Sequence, residues 1–79
     1  MINKNLLRAK IYGNFKSQAE FSRSIGWHIN RINKILTGKS IPTLDECAKI
    51  ADALSLTRDE YIDIFMPSLS PNGDKQQSA

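Results

Sequence analysis

Between Ser17 and Gly38 the chain reads SQAEFSRSIGWHINRINKILTG, in which two short amphipathic segments meet at Gly26. A capping box predicts the start of the first helix, because Ser17 can accept from a first-turn N–H while Glu20 reaches back. Gly26 predicts its end, since glycine takes a left-handed conformation without steric cost. The second helix is expected from about residue 28 to just before Gly38. Helices of about eight residues are unstable alone in water, so both need a scaffold.

The flanking sequence predicts that scaffold as three more amphipathic helices. The first covers 1–12 and should end at Gly13-Asn14, while the other two open at the capping boxes 43–46 and 57–60. The expected apolar face of the first helix is Leu6, Leu7, Ile11 and Tyr12, and that of the helix after residue 43 is Leu44, Cys47, Ala48, Ile50, Ala51 and Leu54. The last helix carries the apolar residues Tyr61, Ile62, Ile64 and Phe65. No segment alternates like a strand. The predicted fold class is therefore all-α, a compact bundle of five short helices.

One domain and a short tail account for the length of the chain. Seventy-nine residues are close to the size at which a single core is marginal without disulfides, metal or a partner, so dimerisation would help. We expect the domain to occupy residues 1–66, with the central helix pair at about 17–37. Residues 67–79, PSLSPNGDKQQSA, have almost nothing to bury and predict a disordered C-terminal tail.

Charge is divided unevenly along the chain, although the net charge is only +3. Residues 1–41 contain eight Lys or Arg and one acidic residue, whereas residues 42–79 contain three basic and seven acidic residues. The basic part includes the central helix pair. Such a charge distribution is typical of a domain that turns one face toward phosphate groups. The alternative is that surface charges cluster there by chance.

Several functional classes lack the residues that they need. A single Cys47 and a single His28 allow neither an internal disulfide nor a Cys/His zinc site, so we expect no metal, no cofactor and a cytoplasmic protein. The sequence has no Gly-rich phosphate loop, no HExxH and no plausible triad, so an enzyme is not expected. No apolar run reaches membrane-spanning length, and residues 1–10 lack the apolar core of a signal peptide.

The central segment resembles the Cro and lambda-repressor-like helix-turn-helix family, also called the XRE family, of phage and bacterial transcription regulators. The resemblance covers roughly residues 6–65 and implies a lambda-repressor-like domain. The residues that carry it are Gln18, Phe21, Ile25-Gly26, Ile32, Ile35 and the run Gly38-Lys39-Ser40-Ile41-Pro42-Thr43-Leu44. Two positions depart from the family pattern. Ser22 stands where the family usually has alanine, and Ile29 stands where many members have a polar base-reading residue.

The resemblance also implies which side chains meet DNA. Family members place the start of the second helix in the major groove, where its outward residues reach base edges. The implied base-reading residues are Ile29, Asn30, Asn33 and Lys34. Asn30 is the main candidate for direct readout because its amide can pair with adenine N6 and N7, while Ile29 can offer only apolar contact with a thymine methyl. The phosphate-binding candidates are Lys16, Gln18, His28, Arg31, Thr37 and Lys39.

Some of these residues have a purely structural alternative. Ile29 could complete an apolar stripe of the second helix, and His28 could cap that helix. Asn33 and Arg31 could simply be solvated. Trp27 is expected to pack beneath the turn and not to stack on a base.

The function implied by the resemblance is sequence-specific transcription regulation by a Cro-like repressor of phage or prophage type. A homodimer on a palindromic operator, with half-sites about one helical turn apart, would block polymerase. The expected dimer surface is formed by Tyr61, Ile62, Phe65 and Met66, with internal packing of these residues as the alternative. Two other functions stay open: a modulator or antirepressor that binds another phage repressor, and an antidote of a toxin–antitoxin pair whose tail folds on its partner.

Overall fold

Five α-helices and a final 3-10 turn make up the protein, whose computed structural model describes residues 2–69. The helices are α1 (Lys4–Asn14), α2 (Gln18–Ser24), α3 (Ile29–Leu36), α4 (Leu44–Ala53) and α5 (Arg58–Phe65), and the 3-10 turn is Pro67–Leu69. This architecture confirms the all-α class and the five-helix prediction.

Each helix begins directly after a polar residue whose side chain accepts a hydrogen bond from a first-turn N–H. These caps are Asn3, Ser17, His28, Thr43 and Thr57. In α4 and α5 the predicted capping boxes are complete, because the third residue of each helix is a glutamate that accepts from the cap's own N–H. In α2 the structure has the Ser17 half of the predicted box.

The bounds of α1 differ from the prediction at both ends. The helix begins at Lys4 and not at Met1, because the Asn3 side chain accepts from the Leu6 N–H at 3.1 Å and so caps the first turn. It also continues through Gly13 to Asn14. A single glycine weakens a helix without ending it. The extended backbone of Phe15 ends α1 instead.

Gly13 lies inside α1, whereas Gly26 lies in the turn after α2 with a left-handed backbone, and alanine substitutions at the two positions test this difference. Gly13→Ala should raise the free energy of unfolding by about 0.5–1 kcal/mol, because a helical alanine loses less chain entropy and the space around its Cβ is open. Gly26→Ala should lower it by about 1–2 kcal/mol, since the φ of Gly26 is +75°. Urea unfolding of the two variants beside the unmodified chain measures both changes. Changes of the same sign would contradict the assignment.

α1 lies at the centre of the packing and contacts α2, α3 and α5. The core that these helices enclose consists of Leu7, Ile11, Phe21, Ile32, Ile35, Leu36, Cys47, Ile50, Leu54, Ile64 and Phe65. The rings of Phe15 and Phe21 pack with centroids 5.2 Å apart, which closes the loop between α1 and α2 over the core. Half of the predicted apolar residues are thus buried in each of α1, α4 and α5.

Three residues predicted to face the core are exposed instead. Leu44 is 75% exposed and Tyr12 is 50% exposed, and Ala48 is exposed as well. Tyr12 and Ala48 each follow a buried residue by one position, which turns their side chains about 100° away from it around the helix. Leu44 is the first residue of α4, where the helix extends beyond the core. The buried stripes of α1 and α4 are therefore narrower than the sequence suggested.

The apolar face of α5 packs largely within its own protomer. Phe65, which we expected at a dimer interface, is 8% exposed and belongs to the core. Tyr61 and Met66 are half-buried against that core, and the Tyr61 and Phe65 rings lie 5.0 Å apart. Burial, together with the neighbouring Cys47 thiol, raises the pKa of the Tyr61 phenol. The internal-packing alternative therefore holds for Phe65.

The start of the predicted tail lies within the described residues. Pro67–Leu69 forms a 3-10 turn whose last N–H, that of Leu69, donates to the Met66 carbonyl at 2.9 Å. The described chain thus continues for three residues beyond the expected domain boundary at residue 66, and the disordered tail stays a prediction. The rest of that prediction, residues 70–79, lies outside the described residues.

Candidate nucleic-acid interface

The turn between α2 and α3 brings these two helices into direct contact. Gly26 has a φ of +75°, and the Trp27 N–H donates to the Ser22 carbonyl at 2.9 Å. Ser22 is 1% exposed, and its hydroxyl donates to the Gln18 carbonyl at 2.8 Å. Serine fits at this close approach because its one polar group is paired within α2. Trp27 packs against the core, as predicted.

The third helix has one buried face and one exposed face. Its buried residues, Ile32, Ile35 and Leu36, are at most 2% exposed. Its exposed residues include Asn30, Asn33 and Lys34. The division follows helical spacing, so that the amide and ammonium groups all lie on the side away from α1 and α2.

An open concavity of about 340 Å³ runs along the exposed face of α3 and onto the chain that follows it. It is lined by Asn30, Asn33, Lys34, Thr37 and Lys39. Three residues predicted to read bases and two predicted to bind phosphate therefore share one surface. The side chains of Asn30, Asn33, Lys34 and Lys39 carry hydrogen-bond donors, which suit the acceptor-rich edges and phosphates of a duplex, whereas the Thr37 hydroxyl donates to the Asn33 carbonyl.

Residues 38–42, which we call the connector, fold back onto the end of α3. The Thr37 hydroxyl donates to the Asn33 carbonyl at 2.7 Å, and Gly38 has a φ of +80°. The N–H groups of Lys39 and Ser40 both donate to the Lys34 carbonyl, at 2.9 and 3.1 Å. This backbone geometry places Lys39, which is exposed, at the C-terminal end of the α3 face.

The span from α2 to α5 also matches a known family. A family model described as helix-turn-helix matches residues 16–61, which is more than half of the chain. The chain belongs to the XRE helix-turn-helix family. It is thus a DNA-binding helix-turn-helix regulator, and the family is generally non-enzymatic. Comparisons with curated proteins and with solved structures gave no match.

None of the helices between residues 2 and 69 of this XRE-family chain has the length and apolar character needed to span a membrane.

His28 caps α3, the second helix of the helix-turn-helix, which we call the recognition helix. Its Nδ1 accepts from the Asn30 N–H at 3.2 Å, as the structural alternative for this residue predicted. With Nδ1 accepting, a neutral imidazole has its proton on Nε2. The ring is exposed, so the Nε2–H is available for a further acceptor. The cap and a phosphate contact are therefore compatible, and the contact stays a prediction.

Ile29 is half-buried at the first position of α3. Its neighbours Ile25 and Trp27 are among the half-buried apolar side chains that pack against the core, whereas Ile29 is not one of those found within residues 2–69. Helical spacing puts Ile29 one turn before the exposed Asn33 and two turns before the buried Leu36, at the border between the two faces of α3. A contact with a thymine methyl stays a prediction for it.

Arg31 has a partner that the sequence did not suggest. Its guanidinium donates to both carboxylate oxygens of Glu46 and to the Ser40 hydroxyl. These bonds lower the pKa of Glu46 to about 2, against the opposing effect of lost hydration, and the Thr43 N–H adds to the lowering. The same hydrogen bond raises the pKa of Arg31. Arg31 is therefore occupied within the protomer, and phosphate binding by it stays untested.

Lys16 and Gln18 lie at the start of α2, away from the residues that line the α3 concavity. Lys16 is exposed just before the Ser17 cap, and Gln18 is half-buried. Their predicted phosphate contacts would flank the α3 face and not extend it.

Two further basic residues of the N-terminal part bind within the protomer. Arg8 donates to the Leu36 carbonyl at 3.2 Å and ties α1 to the end of α3. Lys10 forms an ion pair with Glu60 and ties α1 to α5. With Arg31, three of the eight basic residues in 1–41 thus have structural partners, so the phosphate-facing charge is smaller than the sequence count.

Acid titration should reveal the Arg31–Glu46 pair. Because the folded-state pKa of Glu46 is depressed, its stabilisation is present above the ordinary pKa of 4.5 and is lost as the pH falls toward about 2. We expect the unmodified chain to lose more unfolding free energy than Glu46→Gln between about pH 5 and about pH 3. Urea unfolding at both pH values measures this. Glu60 also has a lowered pKa, but it is present in both proteins and cancels. Equal losses would contradict the pairing.

Proposed function

We propose that the protein is a sequence-specific transcriptional repressor of the Cro-like kind, which reads an operator major groove with α3. The observation that supports this most strongly is the concavity shared by Asn30, Asn33, Lys34, Thr37 and Lys39. Side chains suited to base edges lie on the helix, and side chains suited to phosphates lie at its end. One continuous surface could therefore bind the phosphates of a duplex and contact the base edges in its major groove.

Each residue has a chemical role in this proposal. Asn30 pairs with adenine, Lys34 donates to guanine O6 or N7, and Ile29 contacts a thymine methyl, while Asn33 supplies a further amide. The phosphate contacts are assigned to Lys16, Gln18, His28, Thr37 and Lys39. The operator would accordingly contain A·T steps near the centre of each half-site.

Repression would be steric. A homodimer on a palindromic operator, with half-sites one helical turn apart, would cover the polymerase site. Half-buried apolar surface remains at Tyr61 and Ile62 of α5 and at Met66, which follows that helix, and the dimer contact is assigned to them. A small domain of this size gains stability from such a partner.

A second function is favoured by exposed apolar side chains within the connector and just after it. Ile41 is 83% exposed and Leu44 is 75% exposed, and Ile29 lies on the recognition helix. A protein partner would bury such side chains, whereas phosphates would not. The alternative is therefore a modulator that binds another repressor protein.

Salt dependence of duplex affinity separates the two functions. A regulator that neutralises several phosphates should bind a random-sequence duplex with a steep log–log salt slope, about −0.9 for each phosphate contacted. Fluorescence anisotropy across a series of salt concentrations measures that slope. A folded protein with negligible affinity at low salt would favour the modulator function over the repressor.

A further inference from the structure

The Arg31 side chain joins three separate parts of the protein. Its Nε donates to Glu46 Oε2 at 2.8 Å, its Nη2 donates to the other oxygen of the same carboxylate, and its Nη1 donates to the Ser40 hydroxyl at 2.5 Å. The Nη2 group also lies 3.4 Å from the Ile41 carbonyl oxygen. One guanidinium therefore links α3, the connector and α4. Such bidentate pairing fixes orientation as well as distance.

Glu46 is held on its other side by the cap of α4. Its Oε1 accepts from the Thr43 N–H at 2.9 Å, while the Thr43 hydroxyl accepts from the Glu46 N–H at 3.2 Å. The side chains of Arg31 and Glu46 are 28% and 23% exposed, so the pair is mostly sheltered from water. The carboxylate thus connects the recognition helix to the rigid first turn of α4.

The geometry points to Arg31 and Glu46 as positioning residues for DNA binding, which set the connector against the recognition helix so that Lys39 meets a phosphate while Asn30 meets a base. This inference rests on the proposed function. On one side, the connector is fixed by the Lys39 and Ser40 N–H groups at the end of α3. On the other side, Arg31 adds a bond to the Ser40 hydroxyl and the pair of bonds to the Glu46 carboxylate in the first turn of α4.

Simple electrostatics predicts the opposite effect for Glu46. Removal of a carboxylate beside a DNA-binding face raises the net positive charge and should strengthen binding to any duplex. A positioning role predicts weaker binding to the preferred site, because base and phosphate contacts then no longer fit together. The sign of the change therefore separates the two effects.

The experiment compares Glu46→Gln with Asp45→Asn, an exposed neighbour whose substitution removes the same charge from the same helix turn. Affinity is measured for a duplex that the unmodified protein enriches from a random pool and for a scrambled duplex, with circular dichroism and thermal melting to confirm folding. We expect Glu46→Gln to lower the affinity for the enriched duplex about tenfold. Asp45→Asn should not weaken it.

Arg31→Lys supplies a second variant, which keeps the positive charge but cannot donate to both carboxylate oxygens of Glu46 as the guanidinium does. We expect it to weaken binding to the enriched duplex but to leave the salt slope for the scrambled duplex unchanged, because Lys39 can still meet a phosphate where no base contact fixes the register. Arg31→Ala should also leave the slope for the scrambled duplex unchanged, whereas loss of a side chain that directly contacts phosphate would lower that slope by about 0.9. Ser40→Ala removes only the hydrogen bond between Arg31 and the Ser40 hydroxyl, and it should lower the affinity for the same enriched duplex by a smaller factor.

Two results would overturn the positioning role while leaving the proposed function intact. They are equal affinities of Glu46→Gln and Asp45→Asn for the enriched duplex, and a reduced salt slope for Arg31→Ala on the scrambled duplex. An unmodified protein that folds but enriches no duplex would overturn the proposed function and the positioning role together.

Discussion

Replacing Leu7 with alanine should lower the free energy of unfolding by about 2–5 kcal/mol. Leu7 is 1% exposed in α1, the helix that contacts α2, α3 and α5, so a cavity there removes contacts from most of the core. Small domains have only about 5–15 kcal/mol of stability in total. The variant should therefore melt far below the unmodified protein, as followed by circular dichroism.

Leu44→Ala is the matched control for this loss. The same side chain is deleted, but Leu44 is 75% exposed at the first position of α4. The expected change is within about 0.5 kcal/mol, as for other surface substitutions. A large loss for Leu44→Ala, or a small one for Leu7→Ala, would contradict the packing of α1 and α4 described above.

Asn30→Ala should weaken binding to the preferred operator by about 1–3 kcal/mol, or roughly 5- to 150-fold, and should relax the base preference at one position. The side chain is exposed, and only its backbone N–H is used by the His28 cap, so folding should be unaffected. Competition binding with the preferred and a random duplex measures both effects.

Lys39→Ala is the contrasting variant for Asn30→Ala. Lys39 lies on the connector at the end of the same concavity, where we assign a phosphate contact. Its loss should weaken all sequences alike and reduce the salt slope by about 0.9. Equal losses for Asn30→Ala on the preferred and the random duplex would remove Asn30 from the set of base-reading residues.

Features determined by neighbours in the sequence were predictable. Four of the five caps, the two complete capping boxes and the left-handed Gly26 all depend on residues within a few positions of each other. The outward face of α3 followed from helical spacing alone, because Ile32 and Ile35 had to point inward. The assignment of Thr37 and Lys39 to phosphate binding came from the family resemblance and not from this spacing.

Features that depend on packing between distant segments were not predictable. Arg31 and Glu46 are 15 positions apart, and each has a satisfactory local explanation, as a basic residue of a DNA-binding helix and as half of a capping box. Nothing in the sequence says that these side chains meet. The burial of Phe65 depended in the same way on where α5 lies against α1, which apolar spacing does not specify.

Selection from a pool of random duplexes at near-physiological salt tests sequence-specific reading by α3 most directly. The unmodified protein should enrich a two-fold symmetric site with half-sites about ten base pairs apart. Asn30→Ala, selected in parallel, should lose the preference at one position in each half-site. A folded protein that enriches no sequence, or an Asn30→Ala variant that enriches the same site unchanged, would contradict reading of bases by this face.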